Sequence, residues 1–135
     1  MVEMAEAKSG VLVVEDDPEL NELVGAYVQI AGYEYRSAGD GMAALRSARE
    51  HPPALIVLDI MLPDIDGFEV CRQLKTSEQT RSIPIVMLTA LDREEYRSRG
   101  GACGAVGYLT KPFDPDRLMQ VIRENAAKNG HPRNP

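Results

Sequence analysis

The feature that most constrains this chain is a set of short apolar runs, each closed by a carboxylate or a hydroxyl. Val11 to Val14 run into Glu15, Asp16 and Asp17, Ala54 to Leu58 run into Asp59, and Ile83 to Leu88 run into Thr89. Runs this short, rich in β-branched residues and without polar alternation, read as strands buried on both faces. Such strands need helices above and below them, and the intervening segments supply helices. Pro18 opens one, with Leu20, Leu23, Val24, Tyr27 and Ala31 at helical spacing before Gly32. Met42 to Glu50 forms a second, with Ala44, Leu45 and Ala48 inward. Phe68, Cys71 and Leu74 mark a third, and Arg93 to Gly101 a fourth. Asp114 and Pro115 start the last, with Leu118, Val121 and Ile122 on its core face. Tyr33 to Ser37 and Ala105 to Leu109 complete five strands. Five strands alternating with helices predict a doubly wound α/β domain around a parallel sheet. The pattern alone leaves the strand order open.

The chain has 135 residues, enough for one such domain, and 44% hydrophobic content can fill its core. Residues 1–10 are expected to be a flexible leader, 11–128 the domain and 129–135 a frayed tail. The net charge of -6 disfavours a general nucleic-acid or membrane binder, since both are polyanionic surfaces. No apolar run is long enough to cross a bilayer, and the acidic N-terminus lacks a signal core. Cys71 and Cys103 form no CxxC pair, and free thiols in a reducing cytoplasm are expected.

In an open parallel sheet, ligands collect outside the carboxyl ends of the strands. Glu15, Asp16, Asp59, Thr89 and Lys111 all fall there. Clustered carboxylates repel and need a counter-charge. A hard cation such as Mg2+ suits them, because it needs few protein carboxylates and keeps several waters. Lys111 adds a second positive charge. Together these groups suit a phosphoryl group held over a nucleophilic carboxylate. Asp17 reads as an N-cap before Pro18 rather than a further ligand. Asp64-Ile65-Asp66-Gly67 reads as a turn, because a calcium loop with Gly67 sixth would lack ligands at Leu62 and Gln73. Arg93, Arg97 and Arg99, interleaved with Glu94 and Glu95, read as a solvated helix face.

The segments VLVVEDDPEL, LIVLDIMLPDIDG, PIVMLTA and GYLTKPF, in this order, resemble the receiver domain of two-component response regulators. The resemblance implies a five-stranded parallel sheet in order 2-1-3-4-5, a flavodoxin-like three-layer sandwich. It implies Asp59 as phosphoacceptor, Asp16 as a direct Mg2+ ligand, and Glu15 as an acid acting through metal-bound water. Asp59 and the Met61 carbonyl would complete the protein's share of the metal shell. Lys111 and the Ala90 N–H would meet the phosphoryl oxygens. Thr89 and Tyr108 would be the switch pair, and the Lys111-Pro112 bond would be cis. The implied partners are a sensor histidine kinase or histidine phosphotransfer protein upstream, and a downstream protein or covalent effector domain. Such a domain is cytoplasmic and no enzyme beyond its own phosphorylation and dephosphorylation.

Where members of that family that dimerise through salt bridges carry acids, this chain has Gly104-Ala105-Val106-Gly107. That departure leaves the salt-bridged dimer without its acids. Two rival readings share the layout. A haloacid-dehalogenase-like hydrolase would need an acid two residues after Asp59, where Met61 stands. A pseudo-receiver that only binds would not need Asp16, Asp59, Thr89 and Lys111 together.

Overall fold

The computed structural model describes residues 9–130. Five strands alternate with five helices: β1 (Gly10–Val14), α1 (Pro18–Ile30), β2 (Glu34–Ala38), α2 (Gly41–Glu50), β3 (Leu55–Asp59), α3 (Gly67–Thr76), β4 (Ile85–Thr89), α4 (Arg93–Arg99), β5 (Gly107–Thr110) and α5 (Pro115–Gly130). All neighbours pair in parallel, in the order β2-β1-β3-β4-β5. The expected fold class is therefore observed.

Alternation along the three central strands divides the core in two. Val11, Val13, Leu55, Val57, Val86 and Leu88 face α1 and α5. Leu12, Val14, Ile56, Leu58, Ile85 and Met87 face α2, α3 and the Tyr96 ring of α4. Both faces are buried, which is why these strands carry no polar alternation. Aspartates cap four of the helices: Asp17, Asp40, Asp66 and Asp92 each accept a backbone N–H of the first turn. Asp92 and Glu95 complete a reciprocal capping box.

Several expectations shift. The buried stripe of α1 is Asn21, Val24, Gly25 and Val28, while Leu23 is 46% exposed. Leu20, Tyr27 and Ala31 only flank the stripe. Choosing the bulkiest apolar residues rotated the helix, because a polar asparagine occupies the inward position. The fifth strand begins at Gly107 rather than Ala105. Gly104 turns the chain at φ +109°, and the ladder with β4 starts at Val86 opposite Gly107. The fourth helix stops at Arg99, since Gly100 adopts φ +135°. The last helix runs to Gly130, two residues past the expected boundary, and Gly10 already belongs to β1. The rest of the expected leader, residues 1–8, and of the tail, 131–135, lies outside the described residues.

Candidate active site at the carboxyl edge of the sheet

Strand register brings the polar ends together. Val14 pairs with Leu58, so Glu15 and Asp59 leave neighbouring strands at one level. Both continue the alternation of Val13 and Val57, toward α1 and α5. Leu109 belongs to that same side, and Lys111 follows it by two residues beyond the end of β5. The Lys111 N–H donates to the Thr89 carbonyl at 2.7 Å, extending the ladder to the lysine.

The side chains meet accordingly. Lys111 Nζ lies 3.2 Å from Glu15 Oε1 and 3.3 Å from Asp59 Oδ2. Glu15, Asp16 and Asp59 each present a carboxylate oxygen, and these oxygens lie within 4.8 Å of one another. Glu15 and Asp59 are each only 3% exposed, whereas Asp16 faces solvent. Burial, helped by the neighbouring Asp59, raises the Glu15 carboxyl to about 7 against the downward pull of the Asp17 N–H and the Lys111 charge. Burial alone would lower the Lys111 ammonium, but the charges of Asp59 and Glu15 outweigh it and hold its pKa above the ordinary lysine range.

Two buried acids facing one ammonium leave net negative charge in a poorly solvated place. An open set of hard oxygen donors with surplus negative charge fits a divalent cation such as Mg2+. Asp17 stands outside the cluster and caps α1 through its bond from the Glu19 N–H at 3.0 Å. Met61 donates its N–H to Asp59 Oδ1 at 3.3 Å, so its backbone lies against that carboxylate while its side chain is 66% exposed. Thr89 is buried, and its Oγ1 accepts the Leu91 N–H at 2.9 Å. Ala90 is exposed at the start of the loop after β4. Tyr108, on β5, stacks on Tyr96 with ring centroids 4.3 Å apart, and β4 lies between it and the strand that carries Asp59. The Lys111-Pro112 peptide is cis.

Three supports were not legible as such. Asn21 donates its amide to the Glu15 carbonyl at 2.9 Å and lies within reach of the Val13 and Ala38 carbonyls. It thereby fixes the turn that delivers Glu15, and Tyr35 in turn donates to its side-chain oxygen. A polar residue in the middle of a helical stripe was the available signal. Asp64 belongs to a turn, as expected, but its carboxylate accepts the Gly41 and Met42 N–H groups at 2.7 and 2.9 Å. It thus caps the first turn of α2 from 22 residues away in sequence. Gly67 packs so closely that a Cβ there would lie 2.4 Å from the Asp59 carbonyl oxygen. This brings the start of α3 directly under Asp59.

The Asp64 contacts carry a pH prediction. Its backbone hydrogen bonds, led by that from Met42, hold its carboxyl below the ordinary range. A depressed acid stabilises the fold above its unfolded pKa of about 3.9 and loses that contribution as pH falls through the folded value. Asp64→Asn should therefore be less stable than wild type at neutral pH, and the gap should close as the pH drops below about 4. Thermal melts across that range check it; a gap independent of pH contradicts the charge-assisted cap.

Comparison with known proteins agrees with this arrangement. Residues 11–123 match the family model described as the response regulator receiver domain. The chain is 42% identical over 113 residues to the DNA-binding dual master transcriptional regulator RpaA of Synechocystis sp., covering 84% of this chain and 47% of that protein. It is 45% identical to the alkaline phosphatase synthesis transcriptional regulatory protein PhoP of Bacillus subtilis, covering 84% and 46%. The chain thus spans about half the length of these curated relatives. Among solved structures, a putative response regulator from Chloroflexus aurantiacus superposes with a TM-score of 0.83 at 33% identity, over 89% of this chain and 98% of that one. The receiver domain of sensor histidine kinase PA1611 from Pseudomonas aeruginosa, solved with a magnesium ion in its active site cleft, gives 0.83 at 30% identity, over 90% and 99%. Neither rival reading is favoured by these matches. Among the described residues, no helix is long and apolar enough to cross a membrane. With four motifs, strand order, converging acids and lysine, and a family match over most of its length, this chain belongs to the response regulator receiver domains of two-component systems.

Proposed function

We propose that the chain is a phosphorylation switch in which Asp59 takes a phosphoryl group from a phosphohistidine of a sensor histidine kinase or histidine phosphotransfer protein. The observation that carries this reading is the shared contact of Lys111 with Asp59 and Glu15, beside a third carboxylate. An Asp59 carboxylate oxygen attacks phosphorus in line with the imidazole nitrogen. The P–N bond breaks, the imidazole leaves with a proton, and an acyl phosphate forms. Asp16 and Asp59 would hold Mg2+ directly, with the Met61 carbonyl, and Glu15 through its water. When bound, the ion neutralises charge on the phosphoryl oxygens. Lys111 supplies a second positive charge to those oxygens, and the Ala90 N–H a hydrogen bond.

The response begins at Thr89. Its Oγ1 accepts the Leu91 N–H, so drawing the hydroxyl toward a phosphoryl oxygen, to which it would donate, pulls on that loop. Displacing that loop changes the support of Tyr96, which follows it on α4, and hence of the stacked Tyr108. The face built from α4, β5 and α5 then presents a different surface to a downstream protein or an attached effector domain. Phosphorylation thereby biases a two-state element. The reaction is confined to the domain's own aspartate, in the cytoplasm, with no direct nucleic-acid or membrane contact by this domain. Exposure of the chain to a small acyl-phosphate donor with Mg2+ tests this reading; absence of any covalent phosphate would overturn it.

The lifetime of the acyl phosphate follows from Met61. Its exposed thioether, two residues past the acceptor, offers no hydrogen bond to an attacking water. Slow self-dephosphorylation is expected, and Met61→Asn should speed it several-fold by positioning that water. Decay of labelled protein after removal of the donor measures it. A fast wild-type decay, or an unchanged one in the variant, contradicts this role.

A further inference from the structure

Asp16, the acid assigned above to direct contact with Mg2+, is exposed, and no hydrogen bond from the described residues holds its carboxylate. Its place therefore depends on the backbone that carries it. That backbone is gripped from both sides at Glu15. The Glu15 N–H donates to the Ala38 carbonyl at 3.1 Å, and the Glu15 carbonyl accepts the Asn21 side-chain amide at 2.9 Å. The Glu15 carbonyl belongs to the rigid peptide plane that joins Glu15 to Asp16. Asn21 thus sets the plane between two of the three carboxylates that converge.

Asn21 is itself held. It is 5% exposed, and a buried amide needs partners at both ends. The carbonyls of Glu15, Val13 and Ala38, at 2.9, 3.4 and 3.3 Å, surround its nitrogen. A carbonyl can only accept, so the amide cannot be reversed there. Its oxygen then needs a donor on the other side, and the Tyr35 hydroxyl on β2 supplies it. Tyr35 can reach because Gly25, four residues after Asn21 and on the same face of α1, leaves room for its ring. A Cβ at Gly25 would lie 2.5 Å from Cε1 and Cε2 of that ring.

We propose that Tyr35 and Asn21 are positioning residues for the cation: the hydroxyl fixes the amide, the amide fixes the Glu15–Asp16 peptide, and the peptide aims Asp16 at the ion. This rests on the reading of the acidic cluster as a Mg2+ site. Neither residue acts as a ligand. Without the Tyr35 hydroxyl, the Asn21 oxygen becomes a buried acceptor with no donor. The amide then turns or draws in water, and its grip on the Glu15 carbonyl loosens. Asp16 samples several orientations, and binding has to order it. The cation affinity therefore falls although all three carboxylates remain. Asp59 and Lys111 are placed by other strands, so the loss is confined to the ion.

Titration of the full chain with Mn2+, read from the EPR signal of the free ion and followed by displacement with Mg2+, measures the affinity. Tyr35→Phe keeps the ring over Gly25 and removes only the hydroxyl. It should weaken binding about threefold, and Asn21→Ala about tenfold. The double variant should bind no more weakly than Asn21→Ala, because the hydroxyl acts only through the amide. A purely structural role would lower the melting temperature in chelator and leave the affinity of the folded chain unchanged. An affinity of Tyr35→Phe equal to that of wild type overturns the proposal, as does a loss from Tyr35→Phe that persists in the Asn21→Ala background. Should Asn21→Ala fail to fold, the Tyr35→Phe result decides alone. A wild type that binds neither ion overturns the metal reading itself, and this proposal with it.

Discussion

Asp59→Asn is expected to abolish covalent phosphorylation while making the domain more stable in buffer without divalent cations. Loss of labelling follows because the amide is no nucleophile for phosphorus and the proposed acyl phosphate needs that carboxylate. The gain in stability follows from burial. Glu15 and Asp59 are both shielded from water and share one ammonium. Removing the Asp59 charge relieves Glu15, whose carboxyl is held at about 7 in part by that neighbour. The gain should be on the order of 1 kcal/mol, the scale of one pKa unit. Mg2+ should raise the melting temperature of wild type more than that of the variant. Denaturation with and without Mg2+, together with intact mass after donor treatment, reads all three effects. A variant that still labels, or that melts below wild type without the cation, contradicts the account.

Gly67→Ala should be the most damaging single-methyl change in the described domain. The added Cβ would meet the Asp59 carbonyl oxygen at 2.4 Å and the Ile60 Cα at 2.6 Å. Both are backbone atoms, so no rotamer change relieves the contact. The start of α3 would have to lift, stretching the 2.8 Å bond from the Gly67 N–H to the Ile60 carbonyl. Overpacking of this kind costs about 1–3 kcal/mol, and the lost hydrogen bond adds about 1 kcal/mol. The variant should also label more slowly, because the displaced backbone carries Asp59. Gly107→Ala is the contrast: nothing lies within 4 Å of its added Cβ, and its φ is unstrained. Chemical denaturation of both variants checks the pair, and equal losses would refute the close-approach argument.

The elements that could be read from sequence are those whose signal is local. β1, β3 and β4 were legible because two-sided burial leaves uninterrupted apolar runs, with Glu15, Asp59 and Thr89 marking their ends. Asp17 and Asp66 were legible as helix or turn residues because a cap acts within its own first turn. What escaped was long-range. Asp64 caps a helix other than its own, and its partner could not be named without the fold. Asn21 found no place in the sequence reading, because its bonding partners, the carbonyls of Glu15 and Ala38, come from two separate strand ends. The path of the loop before β5, which turns at positive φ at Gly100 and Gly104, is encoded by no periodicity. The family resemblance supplied the strand order, which the hydrophobic pattern left undecided.

The most direct measurement is peptide mapping of the wild-type chain after incubation with a small acyl-phosphate donor, with Mg2+ and with a chelator. The account predicts one phosphate per chain, alkali-labile, carried by the peptide containing Asp59, and formed only when Mg2+ is present. Phosphate on another residue, equal labelling in the chelator, or no labelling at all would contradict it.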